Sequence, residues 1–325
     1  METSIQLAKS LFDSKKYLEA IKQCKKILSL DKKSVEALKI VAKSYFSIGN
    51  MEECRFYLTK ILDFTPEDFE TIKDLGNTYQ AKGDFFKAKE YYEKSLSINS
   101  NCASSLTNLG TIKLFEGKSD EALKFFNKAT IQDPRLLPGW INLGNCYIHL
   151  KNDDKAEFAF RKAIELNPNL FNSHFLLATV LIRKLRFSEA ELVLRKTIEL
   201  NPDFSNAHLN LSLVLKDLGK LEEAEESVRR SIELNPNIFN CYLLLASILI
   251  KKNRLVEAEL ALRKTIKLKP DLAEAHFNLG AILRDIGKLN EAEISLRKAI
   301  ELKPDYAEAY LNLTTILEDI GELIE

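Results

Sequence analysis

Cysteine, proline, glycine and tryptophan are scarce in this chain of 325 residues, which has 5 cysteines, 8 prolines, 11 glycines and 1 tryptophan. The odd number of cysteines, without any C-x-x-C spacing, argues against a disulfide framework or a zinc site. We therefore predict reduced, mostly packed thiols and a cytoplasmic location. The five are Cys24, Cys54, Cys102, Cys146 and Cys241.

Long apolar runs and an excess of either charge are also missing. No stretch reaches the roughly 18 to 20 uninterrupted apolar residues of a membrane span. The N-terminal METSIQLAKSLFDSKKYLEA has no long apolar core, so we expect neither a membrane segment nor a signal peptide. The 47 basic and 47 acidic residues balance. Since binding to a phosphate backbone needs clustered lysine and arginine, we expect no nucleic-acid partner.

Motifs that carry catalytic chemistry are absent as well. The sequence has no G-x-x-x-x-G-K-[ST] loop and no H-E-x-x-H. His174, His208 and His276 recur at one position of the repeat described below, which predicts packed core side chains rather than metal ligands. His149 has no partner at ligand or triad spacing. We predict no enzyme activity, no metal and no cofactor.

The few prolines that are present lie at regular intervals. Seven of the eight fit a period of 34 residues, and Ser100 stands at the one position where the series is interrupted. Such a period is typical of stacked repeats, because each unit has an apolar face that it cannot bury alone. The seven are Pro66, Pro134, Pro168, Pro202, Pro236, Pro270 and Pro304.

Each 34-residue frame predicts two helices. Glycine at position 15 of six frames, Gly321 among them, indicates a left-handed residue that closes a first helix. Proline near the end of the frame terminates a second helix. Alanine is nearly always found at position 20, where two helix backbones approach closely. The predicted single array, 1–325, consists of 1–34, 35–68, 69–102, 103–136, 137–170, 171–204, 205–238, 239–272 and 273–306, with a terminal helix at 307–325.

One frame carries a complete family pattern, W-x2-L-G-x2-Y followed by A-x3-F, A and P. Its residues are Trp140, Leu143, Gly144, Tyr147, Ala156, Phe160, Ala163 and Pro168. The chain thereby resembles the tetratricopeptide repeat (TPR) family over its whole length. The resemblance implies an all-α, right-handed superhelical solenoid of nine helix-turn-helix repeats and a terminal helix. Repeats 1 and 2 fit least well, with Lys32, Cys24 and Cys54 at motif positions.

In the TPR family a second face of the first helices lines a concave groove, and here that face carries asparagines. A carboxamide can pair with the backbone of an extended peptide whatever its side chains. Asparagine is also a common surface and helix-start residue, above all at position 2. Position 6 holds Asn108, Asn142, Asn210, Asn278 and Asn312, and position 2 holds Asn172, Asn206 and Asn240. We name this set the asparagine ladder and predict that it binds peptide.

The asparagine ladder resembles that of the superhelical region of O-GlcNAc transferases, which implies recognition of an extended polypeptide. Apolar side chains accompany it in repeats 5 to 9, and curvature of the array would bury about half of them. They are Ile141, Ile148, Phe175, Leu176, Ile182, Leu209, Leu213, Leu243, Leu244, Ile250 and Phe277. Five amides alone would barely reach the about 8 kcal/mol of a micromolar complex, so this groove wall is expected to help in binding.

A carboxylate clamp of the kind found in chaperone-binding family members is matched only in part. Lys73, Asn77 and Asn108 occupy clamp positions, whereas Pro138 and Asn142 stand where two cations are needed. Most of the anion attraction is therefore lost. Lys73 and Asn77 remain candidate peptide-binding residues.

Repeats 6 and 8 are more alike than neighbouring repeats, so the effective unit is 68 residues. Groove chemistry alternates with this unit, and a ligand that fills the groove should alternate likewise. Leu176 and Leu244 accompany basic Arg183 and Lys251, whereas Asn210 and Asn278 accompany acidic Asp217 and Asp285.

The terminal helix has apolar residues, Ile316 and Ile320, on a side that a capping repeat keeps polar. We expect this end to continue in a longer chain, to contact a partner or to self-associate. The sequence thus predicts a scaffold that binds a protein or peptide in its groove. The alternative is the substrate-recruiting arm of a larger transferase whose catalytic domain lies outside this chain.

Overall fold

The computed structural model describes residues 2–322, except for the side chains of residues 320 and 322. Within this range the regular elements are nineteen α-helices, and no strand is present. The all-α class and the consecutive helix pairs predicted from the 34-residue period are confirmed. The helices form two compact units, Met1–Leu166 and Asn167–Glu325, which we name the N-terminal and C-terminal units.

The N-terminal unit contains ten helices. They are α1 Glu2–Asp13, α2 Tyr17–Leu30, α3 Val35–Ser47, α4 Met51–Phe64, α5 Phe69–Ala81, α6 Phe85–Ile98, α7 Ala103–Phe115, α8 Ser119–Gln132, α9 Leu137–His149 and α10 Asp153–Leu166. Odd-numbered helices are first helices of a repeat and even-numbered helices are second helices. Each helix packs against the next one in the chain, and α1 with α3 and α7 with α9 also bring first helices together.

The C-terminal unit contains nine helices built on the same plan. They are α11 Phe171–Arg183, α12 Phe187–Leu200, α13 Ser205–Asp217, α14 Leu221–Leu234, α15 Phe239–Lys251, α16 Leu255–Leu268, α17 Ala273–Asp285, α18 Leu289–Leu302 and α19 Ala307–Glu322. First helices contact each other in the pairs α11 with α13, α13 with α15 and α17 with α19.

A left-handed residue separates the two helices of every repeat at position 15. Glycine supplies it in five repeats, with φ from +76° to +79°. Lysine, leucine or asparagine supplies it in the other four, namely Lys15, Lys151, Leu185 and Asn253, with φ from +56° to +60°. Since a side chain in this region costs about 1–2 kcal/mol, the packing of the two helices fixes the turn even without glycine.

Gly321 departs from the prediction that position 15 closes a first helix. Helix α19 continues through Gly321 to Glu322. Gly321 keeps a helical backbone, unlike the five glycines of the turns, whose φ is positive.

Small residues allow the close approach of helices inside each repeat and between repeats. The alanines at position 20, such as Ala190 and Ala224, are fully buried. Position 3 is equally buried and always small in repeats 2 to 9, although its role was not foreseen. Gly139 occupies it in repeat 5, where an added Cβ would lie 3.3 Å from Thr130 Cγ2.

The terminal helix differs from the prediction at Ile316. This side chain is fully buried, and α19 packs against α17 and α18. Ile316 lies at position 10 of its repeat, where Val214 and Ile248 are also buried in theirs. The side chain of Ile320 lies outside the described residues. Leu311 and Leu317 of the same helix are 69% and 43% exposed.

Candidate interaction surface

The rings at position 4 lie at the half-buried surface, not in the core as predicted. The three histidines and the tryptophan among them each donate a ring N–H to the carbonyl of the proline six residues earlier. His174 Nε2, His208 Nε2 and His276 Nε2 lie 2.9, 2.8 and 2.9 Å from the carbonyl oxygens of Pro168, Pro202 and Pro270. Trp140 Nε1 donates to Pro134 at 2.9 Å in the same way. Apolar periodicity alone placed these rings too deep, because their N–H groups need an acceptor.

The asparagine ladder of the N-terminal unit forms hydrogen bonds between neighbouring first helices. Asn108 Nδ2 donates to Asn77 Oδ1 at 2.8 Å, and Asn142 Nδ2 donates to Thr111 Oγ1 at 3.2 Å. In both cases position 6 of one repeat reaches position 9 of the preceding repeat. These amides thus stabilise the stacking of repeats 3 to 5.

The residues that matched the carboxylate clamp are engaged with one another. Asn77 Nδ2 donates to Asp74 Oδ1 at 3.2 Å, and its Oδ1 also lies 2.9 Å from the Tyr92 hydroxyl. Lys73 Nζ forms an ion pair with Asp74 at 2.9 Å. A carboxylate ligand would have to displace Asp74, so the pair opposes anion capture at this place.

The position-6 asparagines of the C-terminal unit have no such partner. Asn210, Asn278 and Asn312 are half-buried, and none of them forms a hydrogen bond with another described residue. At position 9 of the preceding repeat, Thr179 and Ser247 donate to carbonyls of their own helices at 3.0 and 2.8 Å, as Thr111 also does, but they accept no hydrogen bond from an asparagine. Ala281 has no polar side chain. The three carboxamides therefore remain available to a ligand.

The position-2 asparagines, Asn172, Asn206 and Asn240, lie at the start of α11, α13 and α15 and are exposed. They are not brought into contact with the position-6 amides by any hydrogen bond in residues 2–322. Their exposed placement fits a helix-start role as well as a peptide-binding role, because either role places the carboxamide in water when no ligand is bound.

Apolar side chains of first helices accompany the free amides of the C-terminal unit. Phe175, Leu176, Leu209, Leu213 and Leu243 are half-buried, and Leu244 is 8% exposed. Fewer of these side chains are buried by neighbouring helices than the sequence indicated. Two position-5 rings are fixed by aromatic contacts, Phe175 with Phe204 and Phe277 with Tyr306, each with ring centroids 4.8 Å apart.

The predicted alternation of charge along the first helices is present at position 13. Asp285 pairs with Arg284 at 3.0 Å, and Asp217 lies 3.7 Å from Lys216. Lys251, at the end of α15, is exposed. Helix ends with an internal ion pair therefore alternate with basic helix ends at successive repeats of this unit.

The second helices of the C-terminal unit are joined by shared glutamates at position 21. Glu225 accepts hydrogen bonds from Arg229 of its own helix at 2.8 Å and from Lys252 and Arg254 of the next repeat at 2.8 and 2.7 Å. Burial would raise the pKa of Glu225, but these three hydrogen bonds outweigh it and lower the pKa to about 2. Glu191 and Glu259 occupy equivalent places, and their pKa values are lowered by Lys220 with Arg195 and by Lys288 with Arg263.

Other kinds of site find little support in residues 2–322. No group of three or more histidine, cysteine or acidic side chains there could hold a metal ion. The five thiols are free, and four are buried. Burial raises the pKa of Cys24 to about 11 and contributes most to the pKa of about 12 at Cys54, so these thiols are poor nucleophiles. Every helix in the described range is either too short or too polar to cross a bilayer.

Family models match most of the chain. The model described as the cilia and flagella-associated protein 70 C-terminal domain, a TPR domain, matches residues 68–276. The tetratricopeptide repeat model matches residues 273–306, and the model of anaphase-promoting complex, cyclosome, subunit 3 matches residues 2–61. No curated protein sequence is significantly similar to this chain.

Three solved structures share the fold at low identity. YrrB, a TPR protein with an unusual peptide-binding site, is 21% identical with a TM-score of 0.51. The match covers 57% of this chain and 95% of the YrrB chain. The Cut9-Hcn1 hetero-tetramer of APC/C is 18% identical with a TM-score of 0.58, covering 97% of this chain and 62% of its own. A TPR protein from Parabacteroides merdae is 20% identical with a TM-score of 0.55, covering 77% and 98%.

Proposed function

Because the chain belongs to the TPR family of the cilia and flagella-associated protein 70 C-terminal domain, we propose that it is a protein-interaction scaffold. It holds an extended peptide segment of a partner along the first helices of its C-terminal unit. The observation that carries this proposal is the set of half-buried, unpaired carboxamides at Asn210, Asn278 and Asn312. The peptide-binding site named for YrrB adds support for peptide recognition on this fold.

The carboxamides and the apolar wall have separate tasks in this proposal. A net hydrogen bond contributes about 0.5–1.5 kcal/mol, whereas a micromolar complex needs about 8 kcal/mol. The amides therefore orient the peptide backbone, and burial of its side chains against Leu176, Leu209 and Leu243 supplies the larger share. The asparagines of the N-terminal unit and those at position 2 stay predictions as peptide ligands.

The experiment starts from a library of random peptides, from which binders are selected with the full chain. The double variant Asn210→Ala and Asn278→Ala should weaken the selected peptides by about 5- to 100-fold, since two hydrogen bonds are lost. Asn169→Ala with Asn237→Ala, in exposed turns between repeats, is the matched control and should change affinity by less than about twofold. Equal affinity for wild type and the first variant in titration calorimetry would contradict the proposal.

The second function raised by the sequence is the substrate-recruiting arm of a transferase. It stays a prediction, and no observation in the described residues favours it over a scaffold. Its active site would lie in a domain outside this chain, and the helix pairs of residues 2–322 would supply only the surface that recruits the substrate.

A further inference from the structure

One face of the first repeat is left uncovered in the described structure. Leu7 is 50% exposed, whereas the leucines at position 7 of repeats 3 to 9 are at most 7% exposed. Position 7 faces the second helix of the preceding repeat, as Leu211 does in the groove between α12 and α14. Among residues 2–322 no helix takes that place beside Leu7. A helix that covered it would bury apolar surface.

The same face of the first repeat carries three lysines. Lys22 and Lys26 stand at positions 22 and 26, whose residues in repeat 7 line the groove toward the preceding second helix. Lys16 stands at position 16, whose cations in repeats 7 to 9 donate to a glutamate of the preceding repeat. The three lysines are exposed, and none forms an ion pair with a described residue. Even with Glu19 on it, this face is positively charged. We name Leu7, Lys16, Lys22 and Lys26 the head face.

The exposed face of α19 has the opposite charge. Leu317 stands at position 11 and is 43% exposed, whereas the leucines at that position in repeats 6 to 9 are at most 1% exposed. Position 11 lies one turn beyond position 8, which packs on the second helix of its own repeat. The described part of the chain has no such helix beside α19. Residues 304–325 contain six acidic residues and no basic one. We name the exposed side chains of Glu308, Tyr310, Leu311, Leu317 and Glu318 the tail face.

We propose that the tail face of one copy of this chain docks on the head face of a second copy. Leu311 and Leu317 of α19 then cover Leu7, and the glutamates of the tail face pair with the lysines of the head face. Each joined copy keeps one free face of either kind. The contact is therefore heterologous, and association continues beyond a dimer unless a ring closes.

Charge favours this pairing over contact between two like faces. Two head faces would bring lysines opposite lysines, and two tail faces would bring glutamates opposite glutamates, which is unfavourable in both cases. The complementary faces belong to one chain, so any two copies supply both halves of the contact. The asparagine ladder takes no part in it, and the inference is independent of the proposed function.

Sedimentation velocity of the full chain at several protein concentrations tests the proposal. In dilute buffer the average mass should rise with concentration and pass the mass of a dimer. Salt at about 0.5 M should return the chain toward the monomer, because it screens attraction between exposed charges. Association through two like faces would respond in the opposite way, since salt would screen a repulsion.

A charge reversal on the head face has a matched control inside the array. Lys22→Glu with Lys26→Glu should lower the association constant by about tenfold or more. Lys124→Glu with Lys128→Glu changes the exposed lysines at the same two positions of repeat 4. This control alters the net charge equally and should associate as wild type does. Both variants should keep the circular dichroism of wild type, because the four lysines are exposed.

Mixing two defective variants completes the test. Glu308→Lys with Glu318→Lys reverses the tail face and should also remain monomeric. An equimolar mixture of this variant with Lys22→Glu and Lys26→Glu should associate again, because each supplies the intact face that the other lacks. Asn210→Ala with Asn278→Ala should associate as wild type does. The proposal is overturned if wild type stays monomeric at all concentrations, if salt strengthens association, if the head-face variant associates as tightly as wild type, or if the mixture stays monomeric.

Discussion

At the scale of single residues, position 8 shows how side-chain volume is matched between the two helices of a repeat. In repeats 3 to 5 glycine at this position faces an aromatic ring at position 24, as Gly144 faces Phe160. In repeat 6 alanine stands opposite leucine, with Ala178 and Leu194 both buried. A Cβ added at Gly144 would lie 2.5 Å from Phe160 Cε1. The two volumes thus vary together in repeats 3 to 6, whereas in repeat 9 Gly280 faces Leu296.

We predict that Gly144→Ala lowers the free energy of unfolding by about 1–3 kcal/mol, because the ring must move out of a packed site. Urea unfolding followed by circular dichroism measures it. The double variant Gly144→Ala and Phe160→Leu reproduces the combination of repeat 6. It should be more stable than the single variant Phe160→Leu, which keeps Gly144. Additive effects of the two substitutions would refute the volume match.

The backbone conformation of Leu185 leads to a second prediction at this scale. It adopts φ +57° at position 15, and its side chain is 72% exposed. Leu185→Gly should raise the free energy of unfolding by about 0.5–1 kcal/mol, because relief of the left-handed strain exceeds the entropy that glycine loses on folding. The reverse change at Gly219, to leucine, should destabilise by a similar amount in the same thermal and urea experiments.

At the scale of elements, the shared glutamates tie each second helix to the next repeat. Glu225→Gln should lower the free energy of unfolding at pH 7 by about 1–3 kcal/mol, because three cations lose their common carboxylate. Glu226→Gln, on the exposed side of the same helix, is the control and should have an effect below about 0.5 kcal/mol.

The lowered pKa of Glu225 predicts how the stability difference between wild type and Glu225→Gln depends on pH. A carboxyl group whose pKa is lower in the folded state stabilises the fold above its unfolded pKa of about 4.3 and loses that contribution as pH falls. The loss should be complete near pH 2, where the folded group takes up its proton. Wild type and Glu225→Gln should therefore converge in stability between about pH 5 and pH 2. A constant difference across this range would contradict the assignment.

At the scale of the whole molecule, the sequence was sufficient to predict the repeat and its helices, because proline and alanine positions restrict the backbone directly. It was also sufficient to place the asparagines on first helices. It could not tell which of them are free, since that depends on side-chain placement and not on residue type alone. Thr111 and Thr179 stand at the same position and both donate to their own helices, but only Thr111 also accepts from a neighbouring asparagine.

The depth of the position-4 rings could not be predicted for a related reason. Periodicity reports which face of a helix is apolar, but not that a carbonyl of the preceding turn will hold a ring N–H at the surface.

The two compact units lead to a prediction about the chain as a whole. Contacts in stacked repeats join neighbours only, so each unit should hold its own structure. Residues 167–325 expressed alone should keep a helical circular dichroism spectrum and a cooperative unfolding transition. They should also bind peptides selected with the full chain, whereas residues 1–166 should not. An unfolded C-terminal fragment would contradict the first expectation, and binding by the N-terminal fragment would contradict the second.

The bond between a position-4 imidazole and a proline carbonyl has a consequence for concentrated salt solutions. A carbonyl can only accept, so Nε2 of His174, His208 and His276 carries the hydrogen. Each inter-repeat corner is thus closed by a bond in which no carboxylate takes part. Salt should therefore loosen the glutamate links along the second helices first and leave the corners to hold neighbouring repeats together.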